Sequence, residues 1–147
     1  MQQARGGQQW QKFGRSRGGF STKVHATTDA LGCPTRFILT GGNASDYTQA
    51  IPLIEGQGAE HIVADKGYDS QTIIDAIEAK GAEPVIPPRS QRKTKRVYDR
   101  YIYKERNVIE RMFNKLKQFR RVSSRYDKLA TSFLSFLHLA AIAVWLR

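Results

Sequence analysis

The 147-residue sequence has little of what stabilises secreted proteins or spans a membrane. Cys33 is its only cysteine, so no disulfide can form within the chain, as is usual in a reducing cytoplasm. The first residues, MQQARGGQQWQK, contain no apolar run typical of a secretory signal. The apolar run from Leu129 to Leu146 is interrupted by polar residues and falls short of the ~20 apolar residues of a spanning helix. We therefore expect a cytoplasmic protein without a membrane partner.

Acidic residues are also scarce, and they are unevenly distributed. The chain carries 24 Lys and Arg against 13 Asp and Glu, for a formal net charge of +11. Residues 1–20 contain no acid, residues 21–88 have a net charge of −5, and residues 89–128 have a net charge of +11. So concentrated a basic region favours a polyanionic partner, with nucleic acid ahead of an anionic membrane surface.

Composition and periodicity divide the chain into two parts. Residues 1–19 are rich in Gln, Gly and Arg without periodicity, which predicts a flexible basic arm. Residues 20–147 predict one α/β domain with the order β-β-α-β-α-β-α-α. The predicted strands are Phe20–Thr28, Thr35–Thr40, His61–Ala64 and Glu83–Ile86. The predicted helices are Tyr47–Ile54, a segment bearing Ile73, Ile74 and Ile77, then Tyr101–Arg121 and Lys128–Leu146.

Several acids are explained by local structure. Asp29 lies in a turn cluster between the first two strands, where it bonds local backbone more readily than it takes part in catalysis. Asp46 or Ser45 is expected to cap the first helix, and Asp69 or Ser70 the second. These positions are therefore weaker candidates for chemistry.

Asp65 and Glu110 are the acids best placed for chemistry. Asp65 closes a short apolar strand, and ligands of open α/β sheets bind just beyond the carboxyl ends of strands. Gly67 would allow substrate or backbone to approach closely. Glu110 shares a stripe of the predicted Tyr101–Arg121 helix with Tyr103, Arg106 and Lys117, at about 100° per residue. An amphipathic helix with a solvated basic face is the alternative, but it does not explain a lone acid among cations.

A basic loop precedes that helix. Its five cations are Arg89, Arg92, Lys93, Lys95 and Arg96. Contact with DNA phosphates and a merely solvated linker are both compatible with this pattern.

Together these residues resemble a known family. Tyr103, Arg106, Glu110 and Lys117 match the pattern Y-x2-R-x3-E-x6-K without a gap, and Asp65-Lys66-Gly67-Tyr68 resembles a D-x-G-Y segment. The stretches GRSRGGFSTKVHA, IPPRS and FNKLKQFRRVSSRYDKLA are similar to those of bacterial members. Residues 14–147 thus resemble the C-terminal part of the catalytic domain of DDE-type insertion-sequence transposases.

The resemblance implies a ribonuclease-H-like mixed sheet flanked by helices over residues 20–147. It implies DNA transposition by metal-dependent strand cleavage and strand transfer, with transposon ends and target DNA as partners. Asp65 and Glu110 would be catalytic ligands of Mg²⁺ or Mn²⁺. Tyr103, Arg106 and Lys117 would bind DNA near the site. Homo-oligomers are expected of such transposases.

The sequence departs from the family pattern in one respect. The first Asp of the DDE triad should lie on a strand before the hairpin, but residues 1–20 contain no acid and Asp29 falls in the hairpin turn. We therefore expect a domain that lacks the first strand, inactive alone, as the second half of a split or frameshifted transposase. An upstream transposase segment would supply the first Asp. The alternatives are a non-catalytic DNA-binding regulator, an inactive remnant, a stand-alone basic nuclease and a small RNA-binding protein.

Overall fold

The chain has a mixed α/β order, in which three strands come first, two strands separated by a helix follow, and four helices come last. A computed structural model describes residues 14–16, 19–124 and 129–147, with side chains from residue 21 onward. The strands are β1 (Gly14–Ser16), β2 (Gly19–Thr28), β3 (Pro34–Gly41), β4 (His61–Val63) and β5 (Glu83–Val85). The helices are α1 (Ala50–Ile54), α2 (Gln71–Glu78), α3 (Arg100–Tyr103), α4 (Asn107–Lys117), α5 (Arg120–Ser123) and α6 (Ala130–Trp145). Three 3₁₀ turns span Asp46–Gln49, Lys66–Tyr68 and Lys104–Arg106.

The first sheet is antiparallel, with the order β1-β2-β3. β2 and β3 form the predicted hairpin, and the turn role of Asp29 is confirmed. Its Oδ1 accepts hydrogen bonds from the backbone N–H groups of Leu31 at 3.0 Å and Cys33 at 2.8 Å. Gly32 has a φ of +85° in this turn, a conformation that glycine adopts without a steric penalty.

The predicted flexible arm, residues 1–19, is only partly covered by the structure. Residues 1–13, 17 and 18 lie outside the described part of the chain. Gly14–Ser16 form a strand because they pair in antiparallel register with Gly19–Ser21 at the start of β2. The arm thus includes a three-residue strand, and its flexibility stays a prediction.

The second sheet is the parallel pair β4 and β5. The helix α2 connects them, and its residues Ile73, Ile74 and Ile77 are buried against the pair. Ser70 caps α2, because its side chain accepts a hydrogen bond from the N–H of Ile73. Since Ser70 is the cap, the alternative assignment of this role to Asp69 is wrong.

The predicted helix Tyr101–Arg121 is not continuous. A 3₁₀ turn separates α3 from α4, and the backbone leaves the helical region at Phe119, with φ −83° and ψ 114°. The ring of Phe119 packs against the core that α4 shares with α6. The extended backbone at this residue starts the new helix α5. The single-helix prediction is therefore wrong, as happens where tertiary context overrides local helix propensity.

Two clusters of apolar side chains form the core. The larger lies between the first sheet, α4 and α6, and includes Phe37, Leu39, Met112, Leu116, Phe133 and Leu137. The smaller lies around α2 and includes Ala50, Ile73, Ile74, Ile77, Ala82 and Ile86. The closing helix α6 packs on the apolar side of α4, since Met112 and Leu116 share the larger cluster with Phe133 and Leu137. No helix in the described ranges is long and apolar enough to cross a membrane.

The two sheets do not join within the described part of the chain. β2 pairs with β3 along Thr22–Thr28 but with β1 only through residues 19–21. The one recorded partner of β4 is β5. In the described strands, β1 therefore leaves positions 23–28 of β2 without a strand neighbour on that side, and β4 has one edge that no described strand pairs.

Candidate active site

Asp65 lies immediately beyond the end of β4, where the 3₁₀ turn Lys66–Tyr68 begins. It occupies the N-cap position of this turn, but its side chain makes no capping bond. Its carboxylate is instead 57% exposed and contacts two residues from the helical half of the chain. Oδ1 accepts hydrogen bonds from Arg106 Nη1 at 2.9 Å and from the Tyr103 hydroxyl at 3.3 Å.

Glu110 lies near the same arginine, Arg106. Glu110 is in the first turn of α4, where the helix dipole favours a negative charge. Its Oε1 lies 4.0 Å from the same Nη1 atom that contacts Asp65. Because both distances end at one nitrogen, the two carboxylate oxygens are separated by no more than the sum of 2.9 and 4.0 Å. The fold thus brings together two exposed acids that are far apart in the sequence.

Tyr103 packs between charged and aromatic neighbours. Arg106 Cζ lies 5.4 Å from the centre of its ring, and the ring of Tyr98 meets it edge-on at 5.5 Å. Partial burial raises the pKa of the Tyr103 phenol above its usual 10.0, with Asp65 adding to the rise and Arg106 opposing it. The hydroxyl therefore stays protonated at neutral pH and can donate a hydrogen bond to Asp65.

A polar cleft of about 350 Å³ adjoins Asp65, and Lys23, Asp46, Tyr68 and Arg89 are among its lining residues. Asp46 begins the 3₁₀ turn that precedes α1, but the predicted capping role is wrong: the Ser45 side chain makes no cap bond either. Asp46 Oδ1 instead pairs with Lys23 Nζ at 3.0 Å, because Lys23 of β2 reaches across to this turn. Sequence analysis missed this contact, since no local signal links positions 23 and 46.

His25 lies behind this ion pair and is buried in β2, the strand position expected from the sequence. Its Nε2 is 2.6 Å from the hydroxyl of Thr40, and its Nδ1 is 3.7 Å from Asp46 Oδ1. Burial lowers the pKa of His25 below its usual 6.5, an effect that Asp46 opposes and Lys23 reinforces.

Lys117 is exposed at the other end of α4 from Glu110. Seven residues along an α-helix correspond to a rise of about 10 Å and nearly two turns. Lys117 therefore lies on the same side of α4 as Glu110 but does not reach Asp65. A phosphate placed at the two acids would meet Arg106 first and Lys117 further along the helix.

The basic loop is held by contacts within the protein. Arg89 donates from Nη2 to the carbonyl oxygen of Gly67 at 2.7 Å. Arg92 and Arg96 form ion pairs with Asp69 at 3.1 and 3.3 Å. Lys93 and Lys95, in contrast, are exposed. DNA binding stays a prediction for all five cations, but the three arginines also stabilise the loop.

The two acids offer only part of the donor set that a divalent metal ion needs. Within the described residues no group of three or more His, Cys, Asp or Glu side chains could hold a metal ion. Mg²⁺ sites commonly use one or two carboxylates together with substrate phosphate and water. Asp65 and Glu110, which already flank a cationic guanidinium, fit such a two-carboxylate arrangement.

Comparison with known proteins establishes the family. The family model described as "Transposase DDE domain" matches residues 2–146. The chain belongs to the DDE transposase family. The resemblance inferred from the Tyr103, Arg106, Glu110 and Lys117 pattern is thereby confirmed.

Three relatives illustrate the extent of the match within the DDE transposase family. "Putative transposase for insertion sequence element IS6501" of Brucella ovis is 41% identical over 132 residues, which cover 86% of this chain and 99% of that protein. "Putative transposase for insertion sequence element IS402" of Burkholderia cepacia is 35% identical, over 84% of this chain and 62% of that protein. "Transposase for insertion sequence element IS1106" of Neisseria meningitidis is 33% identical, over 71% of this chain and 38% of that protein. No solved structure matches the chain significantly.

Proposed function

We propose that the chain carries part of the active site of a DNA transposase that cleaves and transfers DNA strands. Asp65 and Glu110 would supply the second Asp and the Glu of the DDE triad and would hold a divalent ion, Mg²⁺ or Mn²⁺. The main support is the convergence of Asp65 and Glu110 on the same nitrogen of Arg106, at 2.9 and 4.0 Å. Membership of the DDE transposase family supports DNA as the partner and a divalent metal as the cofactor.

When bound, the ion would activate a water or a 3′-hydroxyl for attack on a phosphodiester and stabilise the leaving oxygen. Arg106 would exchange its contact with Asp65 for a charge-assisted hydrogen bond to a DNA phosphate. The Tyr103 hydroxyl, protonated at neutral pH, would keep a hydrogen bond on Asp65 while Arg106 moves. Lys117, about two turns along α4, would bind a phosphate further from the reacting bond.

The proposed site lacks the first Asp of the DDE triad, and the two sheets suggest where a strand bearing that Asp would pair. A ribonuclease-H-like domain would have a further strand, bearing the first Asp, in a sheet that includes β2 and β4. In the described part of the chain, the stretch 23–28 of β2 that β1 does not pair and one edge of β4 are compatible with such an addition. We propose that a segment outside this sequence supplies the strand, either in a fused chain or as a separate polypeptide. The chain alone would then have little activity.

Asp46 is the acid that could replace the missing one, since it lines the same cleft as Asp65. A bound metal ion would have to displace Lys23 from Asp46 just as it would displace Arg106 from Asp65, but among the described ion pairs Asp46 does not share the Arg106 nitrogen on which Asp65 and Glu110 converge. In this proposal Asp46 neutralises Lys23 and leaves Asp65 and Glu110 as the two ligands from this chain.

Complementation by the missing strand tests the proposal. The chain alone, incubated with DNA bearing the ends of its insertion sequence and Mg²⁺, should yield at most trace cleavage. Addition of the Asp-bearing strand, fused in frame before residue 1, should restore cleavage, and Asp65→Asn or Glu110→Gln should abolish it. Full cleavage by the chain alone that Asp46→Asn abolishes would instead identify a self-sufficient nuclease.

A non-catalytic DNA-binding regulator, or an inactive remnant, is the second candidate. The observation that favours it is the ion pair of Arg106 with Asp65, which neutralises one of the two acids. Such a protein should bind DNA no more tightly with Mg²⁺ than without it, because Mg²⁺ would act only as a competing counterion. Cleavage by the strand-complemented chain would exclude it.

A further inference from the structure

Asp69 is a completely buried acid that the proposed chemistry does not use. The exposed fraction of its side chain is 0%, and both carboxylate oxygens have cationic partners from the basic loop. Oδ2 accepts a hydrogen bond from the backbone N–H of Arg89 at 2.8 Å and forms an ion pair with Arg92 Nε at 3.1 Å. Oδ1 accepts a hydrogen bond from Arg96 Nη2 at 3.3 Å. A buried charge persists only when it is paired and hydrogen-bonded in this way.

The loop is fixed at a second point as well. Arg96 Nη2 also donates to the carbonyl oxygen of Ile86 at 3.0 Å, just beyond the end of β5. The Asp69 carboxylate therefore holds the guanidinium groups of Arg92 and Arg96 against the part of the fold that contains β4 and β5. The arginines of this loop are structural anchors of the loop itself.

Asp69, which anchors the basic loop, is also hydrogen-bonded to the turn that follows Asp65. The backbone N–H groups of Tyr68 and Asp69 donate to the carbonyl oxygens of Asp65 and Lys66, at 2.9 and 3.2 Å. The Arg89 side chain donates to the carbonyl oxygens of Lys66 at 3.3 Å and Gly67 at 2.7 Å. The turn after Asp65 is thus closed by its own bonds and clamped from outside by the loop.

We propose that Asp69 is a positioning residue for Asp65. By holding Arg92, Arg96 and the backbone of Arg89, it clamps the basic loop onto the Lys66–Tyr68 turn and so fixes where the Asp65 carboxylate lies. The exposed Lys93 and Lys95, which are free of this anchor, bind the DNA phosphates. This division of roles within one loop adds detail to the proposed function. The role of Asp69 rests on that function, because it takes Asp65 to be a metal ligand.

Binding measurements on the intact chain test the assignment of the lysines without any cleavage. For a duplex DNA, the logarithm of affinity falls with the logarithm of salt concentration by about 0.9 per phosphate contact. The double variant Lys93→Ala/Lys95→Ala should lower this slope by about 1.8. Arg92→Gln, the matched control from the same loop, should leave the slope unchanged. A slope that falls with Arg92→Gln but not with the lysine variant would overturn the division of roles.

Amide hydrogen exchange tests the clamp. Asp69→Asn should accelerate exchange at the backbone amides of positions 68, 69 and 89, because the loop no longer has its ionic anchor. Asp75→Asn is the matched control, since Asp75 is an exposed acid on α2 that accepts a hydrogen bond from Gln71. Unchanged exchange at these three amides in Asp69→Asn would overturn the proposal.

A second variant covers the case in which Asp69→Asn fails to fold. Arg89→Gln removes the exposed clamp on the turn and leaves the buried ion pairs in place, and it should still accelerate exchange at Tyr68 and at Asp69. In the strand-complemented enzyme, Arg89→Gln should lower the cleavage rate at saturating DNA more than it changes the DNA dissociation constant. Unchanged exchange in Arg89→Gln would contradict the clamp even if the enzyme proved inactive. Failure of cleavage in every variant, with the exchange effects present, would contradict the proposed function alone.

Discussion

Arg106 Nη1 lies 2.9 Å from Asp65 Oδ1, although the two residues are 41 positions apart in the sequence. The same nitrogen is 4.0 Å from Glu110 Oε1. A positive charge therefore already occupies the region in which a divalent cation is proposed to bind. Ion binding and the Arg106 contact must compete for the same carboxylate.

This competition leads to a first prediction. Arg106→Ala should tighten Mn²⁺ binding to the chain, because two unit charges about 4 Å apart in water interact by about 1 kcal/mol, and the doubly charged ion doubles this repulsion to about 2 kcal/mol, or roughly 30-fold in affinity. Electron paramagnetic resonance of free Mn²⁺ would measure the change. Arg111→Ala, at an exposed arginine on the same helix, is the control. Weaker Mn²⁺ binding in Arg106→Ala would mean that the arginine organises the acids for the ion.

The three acids Asp65, Glu110 and Asp69 should differ sharply in their effect on stability. Asp65→Asn and Glu110→Gln should each change the free energy of unfolding by less than about 1 kcal/mol, since exposed ion pairs contribute little. Asp69→Asn should cost about 3–5 kcal/mol, because it leaves two guanidinium groups without their buried partner. Urea denaturation would measure the free energy of unfolding of the three variants and so rank their losses of stability. A loss from Glu110→Gln as large as that from Asp69→Asn would make Glu110 a structural residue.

Packing of α4 on α6 gives a third prediction. Met112→Ala should destabilise the fold by roughly 2–5 kcal/mol, because the Met112 side chain is completely buried in the larger core cluster. Ile142→Ala, on the exposed side of α6, should cost much less. Urea denaturation would measure both losses. Equal losses from the two substitutions would indicate that the outer face of α6 is also covered in solution.

His25 makes stability depend on pH. Because burial lowers its pKa below the usual 6.5, the unfolded chain binds more protons than the folded one near that pH. This contribution to stability is complete above the usual pKa of 6.5 and is lost as the pH falls through the folded-state pKa. His25→Gln should flatten the fall of the unfolding free energy on acidification, as measured by urea denaturation at several pH values. An unchanged pH profile would assign the effect to another group.

Lys117 gives a prediction about DNA affinity. Lys117→Ala should lower the slope of log affinity against log salt concentration by about 0.9, as expected for one lost phosphate contact. Lys80→Ala, at an exposed lysine in the acidic part of the chain, should leave the slope unchanged. Fluorescence anisotropy with a labelled duplex at several salt concentrations would measure both. Equal slopes for the two variants and the unaltered protein would remove Lys117 from the DNA surface.

Local sequence signals predicted much of the fold. The hairpin followed from two β-rich runs around a turn cluster, and Asp29 bonds its own turn as expected. The position of Asp65 after β4 followed from a short apolar run that ends at a polar residue.

Contacts between distant residues were not predictable in the same way. Asp46 and Asp69 were predicted to cap helices, but the same carboxylate can instead form an ion pair with a distant residue. Only the fold brings Lys23 close to Asp46 and Arg92 close to Asp69. No proline or glycine lies near the helix break at Phe119, so no local sequence signal predicted it. The pairing of Arg106 with Asp65 depends on how α3 and α4 dock near β4.

The indole N–H of Trp145 donates to the carbonyl oxygen of Pro34 at 2.8 Å, across 111 positions of the sequence. α6 also covers Phe37 and Leu39 of the hairpin. During translation the hairpin therefore leaves the ribosome long before its covering helix is made. At about 5–20 residues per second this interval is roughly 6–22 s. Throughout it the apolar face of β3 is open to chaperones and to other nascent chains, so the synthesis of α6 decides when this half of the protein becomes native.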